Sequence, residues 1–411
     1  MTNDYLLKAF SPAKLGSLPL KNRIIKAATY EGKTPDGIPG QALLDFHQAV
    51  AEGGVAMTTI SYCTVEADAR INDQMMWLHE GIRGQLTDLT QTLKRTAPGI
   101  KISGQLTHSG GFTKNRKLMR LQRPVGPSKA FNMLGATAGI PFIDAMDSRE
   151  IDLMVALYAD AASFMQSVGF DAAEIHFGHG YGLSQFISPK TNKRTDEYGG
   201  SLGNRMRLPL RVLEAIKAAV GDDFPVIGKI NLTDGIKDGL HLAEAIKVAT
   251  LLDKGGLDAL VCSGGTSPYN PMVYFRGESL GTGLAEQQKN PLARFFLKIA
   301  SNRLFKTYPY YENYFLEDAK KVRDSVSCQM IYIGGCTELE SLEEVMREGF
   351  DFVQLARPLI KDPAYVNNAI ASLDSGKTYV NGCIHCNRCA SLIEAPGGVY
   401  CPLNKERAQC N

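Results

Sequence analysis

The sequence has no uninterrupted apolar run of eighteen residues and almost no net charge, with 45 Lys and Arg against 43 Asp and Glu. The first absence argues against a membrane-spanning helix. The second removes the basic excess that would point to nucleic acid or an anionic membrane. The opening residues, MTNDYLLKAF, lack a charged leader followed by an apolar core, so no secretory signal is expected and a cytoplasmic location is. Cysteine is not scarce, at nine, but a chain of 411 residues is too long for a small disulfide framework. Five of the nine (Cys63, Cys262, Cys328, Cys336 and Cys410) are scattered and read as small buried hydrophobes or, near the terminus, an exposed thiol.

What is present is an alternation. Eight short apolar runs read as strands: Arg23 to Ala27, Val55 to Ile60, Ile100 to Leu106, Ala172 to Ile175, Pro225 to Ile230, Leu257 to Val261, Met330 to Ile333, and Phe352 to Leu355. Between them lie stretches of helical spacing. The clearest contains Ile151, Ala156, Leu157, Ala161, Phe164 and Met165, with Asp147 and Glu150 placed to cap it and Gly169 to stop it. Leu208 to Val220, Ala243 to Leu252, Phe315 to Val326 and Leu342 to Met346 read the same way. Strands too apolar to face water on either side favour a closed (β/α)8 barrel, a TIM barrel, with an open doubly wound sheet as the alternative. The expected division is a barrel over residues 1–370 and a cysteine-rich tail over 371–411. Two connections, Thr107 to Met146 and Ser263 to Asn313, are longer than barrel loops require. The second is rich in large apolar and aromatic residues (Phe295, Phe296, Leu304, Phe305, Tyr308, Tyr310), which suit a lid or substrate wall, a locally packed helix, or a subunit contact.

The fourth strand delivers the chemistry. It runs into EIHFGHGYGLSQFISPKTNKRTDEYGGSLGNR, Glu174 to Arg205. His176 and His179 can donate hydrogen bonds to an oxygen that gains negative charge, and the Tyr181 phenol can supply a proton. Two other readings of the histidines are a satisfied structural pair and a metal site, for which Glu174, on the same strand face as His176, is the available third ligand. In a barrel the site is built just past the strand ends, where Thr29, Tyr30, Tyr62, Gln105, Lys229, Ser263-Gly264-Gly265, Gly334-Gly335 and Ala356-Arg357 fall. Glycine pairs and a guanidinium after the last three strands suit a phosphate.

The run H-x-x-H-G-Y, then Q-F, S-P-x-x-N-x-R-T-D-E-Y-G-G-S and N-R, resembles the old yellow enzyme family of FMN-dependent oxidoreductases, in the branch that includes bacterial dienoyl-CoA reductases. The resemblance extends over Lys8 to Pro363 and implies the same barrel. It also implies FMN as cofactor and NAD(P)H as hydride donor. The substrate would be a small α,β-unsaturated carbonyl compound, an enone or enal, whose activated C=C bond is reduced. His176 and His179 would then hold the carbonyl oxygen while Tyr181 protonates the α-carbon. The flavin ring would meet Ala27, Ala28, Thr29, Tyr62, Gln105 and Lys229, the lysine stabilising negative charge near N1 and O2. Gly264, Gly265, Gly334, Gly335, Ala356 and Arg357 would hold the phosphate. Four positions depart from the family pattern: Lys229 replaces a common arginine, Ala356 stands where glycine is commoner, and Tyr30 and Tyr62 add phenols where small residues are usual.

The tail carries GCIHCNRCASLIEAPGGVYCP, a C-x2-C-x2-C-x11-C pattern of Cys383, Cys386, Cys389 and Cys401. Four thiolates so spaced can hold a [4Fe-4S] cluster or zinc, or can remain metal-free. The spacing is close to the iron-sulfur segment of relatives such as trimethylamine dehydrogenase, where electrons pass to further nucleotide-binding domains. No G-x-G-x-x-G follows the cysteines here, so a cluster is expected to serve a separate electron-transfer partner or a structural role. Two functions therefore stand beside the ene-reductase: an FMN dehydrogenase or demethylase passing electrons through the cluster, and a non-catalytic flavin-binding subunit of a complex. A homo-oligomer is compatible with all three.

Overall fold

The structure is a computed structural model that describes residues 4–287, 291, 294–295 and 306–404. Eight parallel strands close into a barrel: β1 (Ile24–Lys26), β2 (Met57–Thr64), β3 (Lys101–Thr107), β4 (Ala172–His176), β5 (Val226–Asn231), β6 (Ala259–Ser263), β7 (Gln329–Tyr332) and β8 (Phe352–Leu355). Each pairs with its sequence neighbour, and β8 pairs with β1 to complete the ring. The eight expected strands are all present, and the open-sheet alternative is excluded by the closure. The helices after successive strands are α1 (Gln41–Glu52), α2 (Arg83–Thr96), α3 (Ser148–Ser167), α4 (Leu202–Val220), α5 (Leu242–Lys254), α6 (Leu316–Arg323), α7 (Leu339–Arg347) and α8 (Tyr365–Ser375).

Burial explains the layers. The helices place one apolar face on the barrel's outer surface, as α3 does with Ile151, Met154, Tyr158, Ala162 and Met165. The capping box of α3 forms as expected: the Asp147 carboxylate accepts from the Glu150 N–H and the Glu150 carboxylate accepts from the Asp147 N–H. Gly169, at φ +92°, reverses the chain after it. The lower end of the barrel is stoppered by a hairpin, Ala13–Leu15 paired with Leu18–Leu20, whose Leu15 and Leu20 join Ile25, Met57, Ile227, Val261 and Phe352 in a closed apolar cluster. With that end sealed, polar side chains inside the barrel can reach solvent or a ligand only through the C-terminal end.

One helix differs from expectation. α4 begins at Leu202, not Leu208, because Ser201 caps it by accepting from the Asn204 N–H at 3.2 Å. Pro209 therefore sits inside the helix, buried, and one backbone hydrogen bond is forgone there. The connection after β3 builds its own small sheet from Val125–Gly126, Ala130–Phe131 and Phe142–Ala145. In the connection after β6, the described part contains a helix, Leu280–Glu286. Tyr308 packs there against Met272, Leu280 and Ala390, whereas Phe295 is exposed. Phe296, Leu304 and Phe305, with Cys410, lie outside the described residues. Cys63, Cys262 and Cys336 are buried and unpaired, as their scattered positions suggested. No described helix is long and apolar enough to cross a membrane.

Candidate active site

The upper interior of the barrel is polar, and Glu174 on β4 is its hub. The side chain is fully buried. Its Oε1 accepts from Gln105 Nε2 at 2.6 Å and faces Lys229 Nζ at 2.9 Å, while Oε2 accepts from Gln354 Nε2 at 2.7 Å. Strand alternation places these groups together: Gln105 lies beside Glu174 in the β3–β4 register, and Lys229 beside His176 in β4–β5. A buried charge is tolerable only when paired and hydrogen-bonded, and Glu174 and Lys229 meet that condition for each other. Both Glu174 oxygens are thus engaged, so Glu174 is not a third metal ligand for the histidines. Among the described residues no three His, Cys, Asp or Glu side chains converge on a metal position.

Above this layer His176, His179 and Tyr181 come together. The rings of His176 and His179 are 4.9 Å apart and those of His176 and Tyr181 4.8 Å. Burial, with the neighbouring His179 and Lys229, holds His176 well below the usual imidazole range, and burial with Lys229 lowers His179 to about 3. Both are neutral imidazoles at physiological pH, each with one N–H to donate. His176 Nδ1 accepts from the Gly178 N–H at 3.4 Å, which leaves Nε2 as its donor. His179 adopts φ +58°, made possible by the Gly180 that follows at φ +79° and by Asn231, whose Oδ1 accepts the His179 N–H at 2.9 Å. Asn231 is fixed in turn by Nδ2 donating to Asp234 Oδ1 and to the Gly265 carbonyl, both at 2.9 Å. Ser263 Oγ lies 2.8 Å from His179 Nε2.

Aromatic rings wall this trio. Tyr62 stacks between Tyr30 at 5.6 Å and His176 at 5.9 Å, and Tyr274 stacks on His179 at 4.5 Å. Of the two phenols that depart from the family pattern, Tyr62 therefore stands against the histidine trio and Tyr30 backs it. Ala27 is tied to β8 through its N–H on the Leu355 carbonyl, and Thr29 Oγ1 donates to Glu31, which pairs with buried Lys26. Ala27, Ala28 and Thr29 line the rim at the end of β1.

Gly264-Gly265, Gly334-Gly335 and Ala356-Arg357 gather at the ends of β6, β7 and β8. Gly334 and Gly335 have φ +133° and +84°, and a Cβ at either would overlap Phe315 or Tyr314. Arg357 donates to the Arg276 carbonyl at 2.8 Å and to Asn387 Oδ1 at 2.7 Å, and its guanidinium lies over the Tyr310 ring. Those contacts bring in the cysteine tail. Cys383, Cys386, Cys389 and Cys401 line a small cavity of about 20 Å³ together with Arg357, and His385 stacks on Tyr310 at 3.3 Å.

Several of these groups escaped the sequence reading. Gln354, Asn231, Asp234, Ser267 and Tyr274 lie one or more loops away from the histidine motif, and only their place on or after a strand end marks them. They bear on whether the site suits a flavin. Gln354 Oε1 is buried with no hydrogen-bond partner among the described residues, an acceptor suited to a ring N–H, beside the Gln105 amide and the Lys229 cation. That donor set, with glycines and a guanidinium at the last strand ends, fits a phosphorylated heterocycle bearing carbonyl and N–H groups.

The sequence profile of the NADH:flavin oxidoreductase / NADH oxidase family matches residues 8–267. The chain belongs to this family. Its relationship to the old yellow enzymes, read first from the histidine motif, is thereby established. Among family relatives, 4,4'-dithiodibutanoate disulfide reductase of Rhodococcus erythropolis is 38% identical over 400 residues, 96% of this chain and 94% of that one. The fold matches 2-naphthoyl-CoA reductase with a TM-score of 0.78 at 21% identity, over 96% of this chain but 56% of that chain. It also matches the old yellow enzyme homologue from Zymomonas mobilis, with a TM-score of 0.69 at 17% identity over 96% and 98% of the two chains. The family's flavin and NAD(P)H dependence accords with the donor set at the strand ends.

Proposed function

We propose that this protein is an FMN enzyme that uses NAD(P)H to reduce the activated C=C bond of a small α,β-unsaturated carbonyl compound. The observation that carries the reading is the meeting of two neutral histidines and a buried phenol above a polar layer centred on Lys229 and Gln105. FMN would be held at Ala27 to Thr29, Gln105 and Lys229, with its phosphate toward Gly264-Gly265, Gly334-Gly335 and Arg357, and when bound it supplies hydride. The protein's own groups do the rest. His176 and His179 donate to the carbonyl oxygen, and because both are neutral they stabilise growing enolate charge without giving up a proton. Tyr181 keeps its proton, since burial raises its pKa, and it delivers that proton to the α-carbon. Tyr30, Tyr62 and Tyr274 exclude water and favour a flat conjugated substrate.

The four tail cysteines line one small cavity, and their C-x2-C-x2-C-x11-C spacing suits a [4Fe-4S] cluster, with zinc as the alternative. Such a cluster would give this chain an outlet to a separate electron carrier.

A second reading, disulfide reduction, is favoured by the Rhodococcus erythropolis relative. The same groups would serve: Tyr181 would protonate the departing thiolate. Anaerobic assays with NADH and NADPH separate the two. Cyclohexanone formed from 2-cyclohexenone in step with nicotinamide oxidation supports the ene-reductase. Thiol release from 4,4'-dithiodibutanoate with no enone turnover replaces it by the disulfide reading.

A further inference from the structure

We infer that Tyr62 and Ser267 are positioning residues for Tyr181, two donors that hold its phenol oxygen, aim its O–H into the pocket and stabilise the phenolate left when the proton departs. This rests on reading Tyr181 as the proton donor. The argument is one of hydrogen-bond direction. Tyr62 Oη donates to Tyr181 Oη at 3.0 Å, and Ser267 Oγ donates to the same oxygen at 3.3 Å. Ser267 Oγ is also 3.0 Å from Tyr274 Oη. A hydroxyl has one proton to give. With the Ser267 proton spent on Tyr181, Tyr274 must donate to Ser267, so the chain Tyr274, Ser267, Tyr181 runs one way and ends at Tyr181. The Tyr62 proton is spent on the same atom from the other side. Tyr181 Oη therefore accepts twice, and its own proton is free to point to a third partner.

The surroundings hold this arrangement in place. The Tyr62 ring is packed edge-on to Tyr181 at 5.2 Å, and its other neighbours are Tyr30 and His176. Ser267 is fixed by its N–H on the His179 carbonyl at 2.9 Å, which ties the donor on the β6 loop to the histidine motif after β4. Among the described residues no charged side chain donates to Tyr181; its oxygen is held by these two neutral donors. In the reductive step, hydride arrives at the β-carbon while the Tyr181 O–H bond breaks and a C–H bond forms at the α-carbon. The substrate gains two electrons and two hydrogens, NAD(P)H is the reductant, and Tyr181 is left as phenolate until solvent returns a proton. The two donors act at that point as an oxyanion hole acts on an enolate. Burial raises the Tyr181 pKa and the two hydrogen bonds lower it, so their loss must move it up.

The test places 3,5-difluorotyrosine at position 181 of the flavin-loaded protein and follows its ionisation by ¹⁹F NMR, in the otherwise unchanged chain and with Tyr62→Phe or Ser267→Ala. The expected result is a titration midpoint higher by about one to two pH units in each variant. A midpoint that stays or falls in both overturns the inference, whether or not any enone is reduced. Reoxidation by 2-cyclohexenone supplies the second readout. Tyr62→Phe should slow it about 10- to 100-fold in the natural background but by less than about twofold on top of Tyr181→Phe. Equal slowing in both backgrounds would show that Tyr62 acts elsewhere, and it too overturns the inference. Absence of enone turnover with a raised midpoint would leave the donor pair standing and remove only the ene-reductase reading.

Discussion

Glu174 settles more of this site than either histidine. Among the described residues it is the one carboxylate paired with Lys229, and it orients both amides of the polar layer. Glu174→Gln keeps the shape but leaves the lysine buried without its counter-charge, so denaturant unfolding of the flavin-free protein should show a loss of about 3–5 kcal/mol. Unchanged stability would mean that Lys229 finds another partner. Glu66, after β2, makes a different prediction. Burial pushes its carboxyl up, but His108 at 3.4 Å and Arg120 at 3.1 Å outweigh burial and bring it to about 2 from its ordinary 4.5. A carboxyl held down in the folded state stabilises fully above its unfolded value and loses that contribution as pH falls from 4.5 toward 2. Glu66→Gln should therefore flatten the acid limb of stability over that interval; an unaltered limb contradicts the assignment. The histidines and Tyr181 were legible because they stand in one short motif. Glu174 was seen only as a possible metal ligand, since its partners come from β3, β5 and β8 and nothing local announces them.

The elements most altered by the structure are the two segments that looked like additions to the barrel. The tail crosses the barrel mouth as a strap. Val399 N–H donates to the Glu31 carbonyl at 2.8 Å, Lys33 Nζ to the Gly397 carbonyl at 2.8 Å, and Glu394 pairs with Lys114. Asn387 Nδ2 donates to the Phe275 and Glu278 carbonyls at 2.7 and 2.8 Å, fastening the cysteine loop to the β6 connection. Close approach makes this possible at Gly32, where φ is +61° and a Cβ would overlap the Ile393 carbonyl. Gly32→Ala should lift the strap: limited proteolysis within 377–404 should quicken, and, where the cysteines hold the proposed [4Fe-4S] cluster, iron content after purification should fall below the roughly four per chain of such a cluster. Equal proteolysis and equal iron would show that the strap is held without Gly32. The cysteine spacing was plain in the sequence, but the strap was not, because the acceptors that hold it are mostly backbone carbonyls, which any residue supplies.

At the scale of the whole molecule the barrel was readable because strand burial and helix periodicity alternate eight times, and because closure is the arrangement that hides every strand. The sealed lower end and the polar upper end then give the protein one working face, on which the histidine trio, the glycine loops and the cysteine strap converge. The most direct test of that account is an anaerobic stopped-flow mix of the purified protein with NADPH, and separately NADH, followed by 2-cyclohexenone. The prediction is that a flavin band bleaches with nicotinamide and returns with the enone, and that Tyr181→Phe slows the return far more than the bleaching. A flavin that neither nicotinamide bleaches, or one whose return is indifferent to Tyr181, would contradict it.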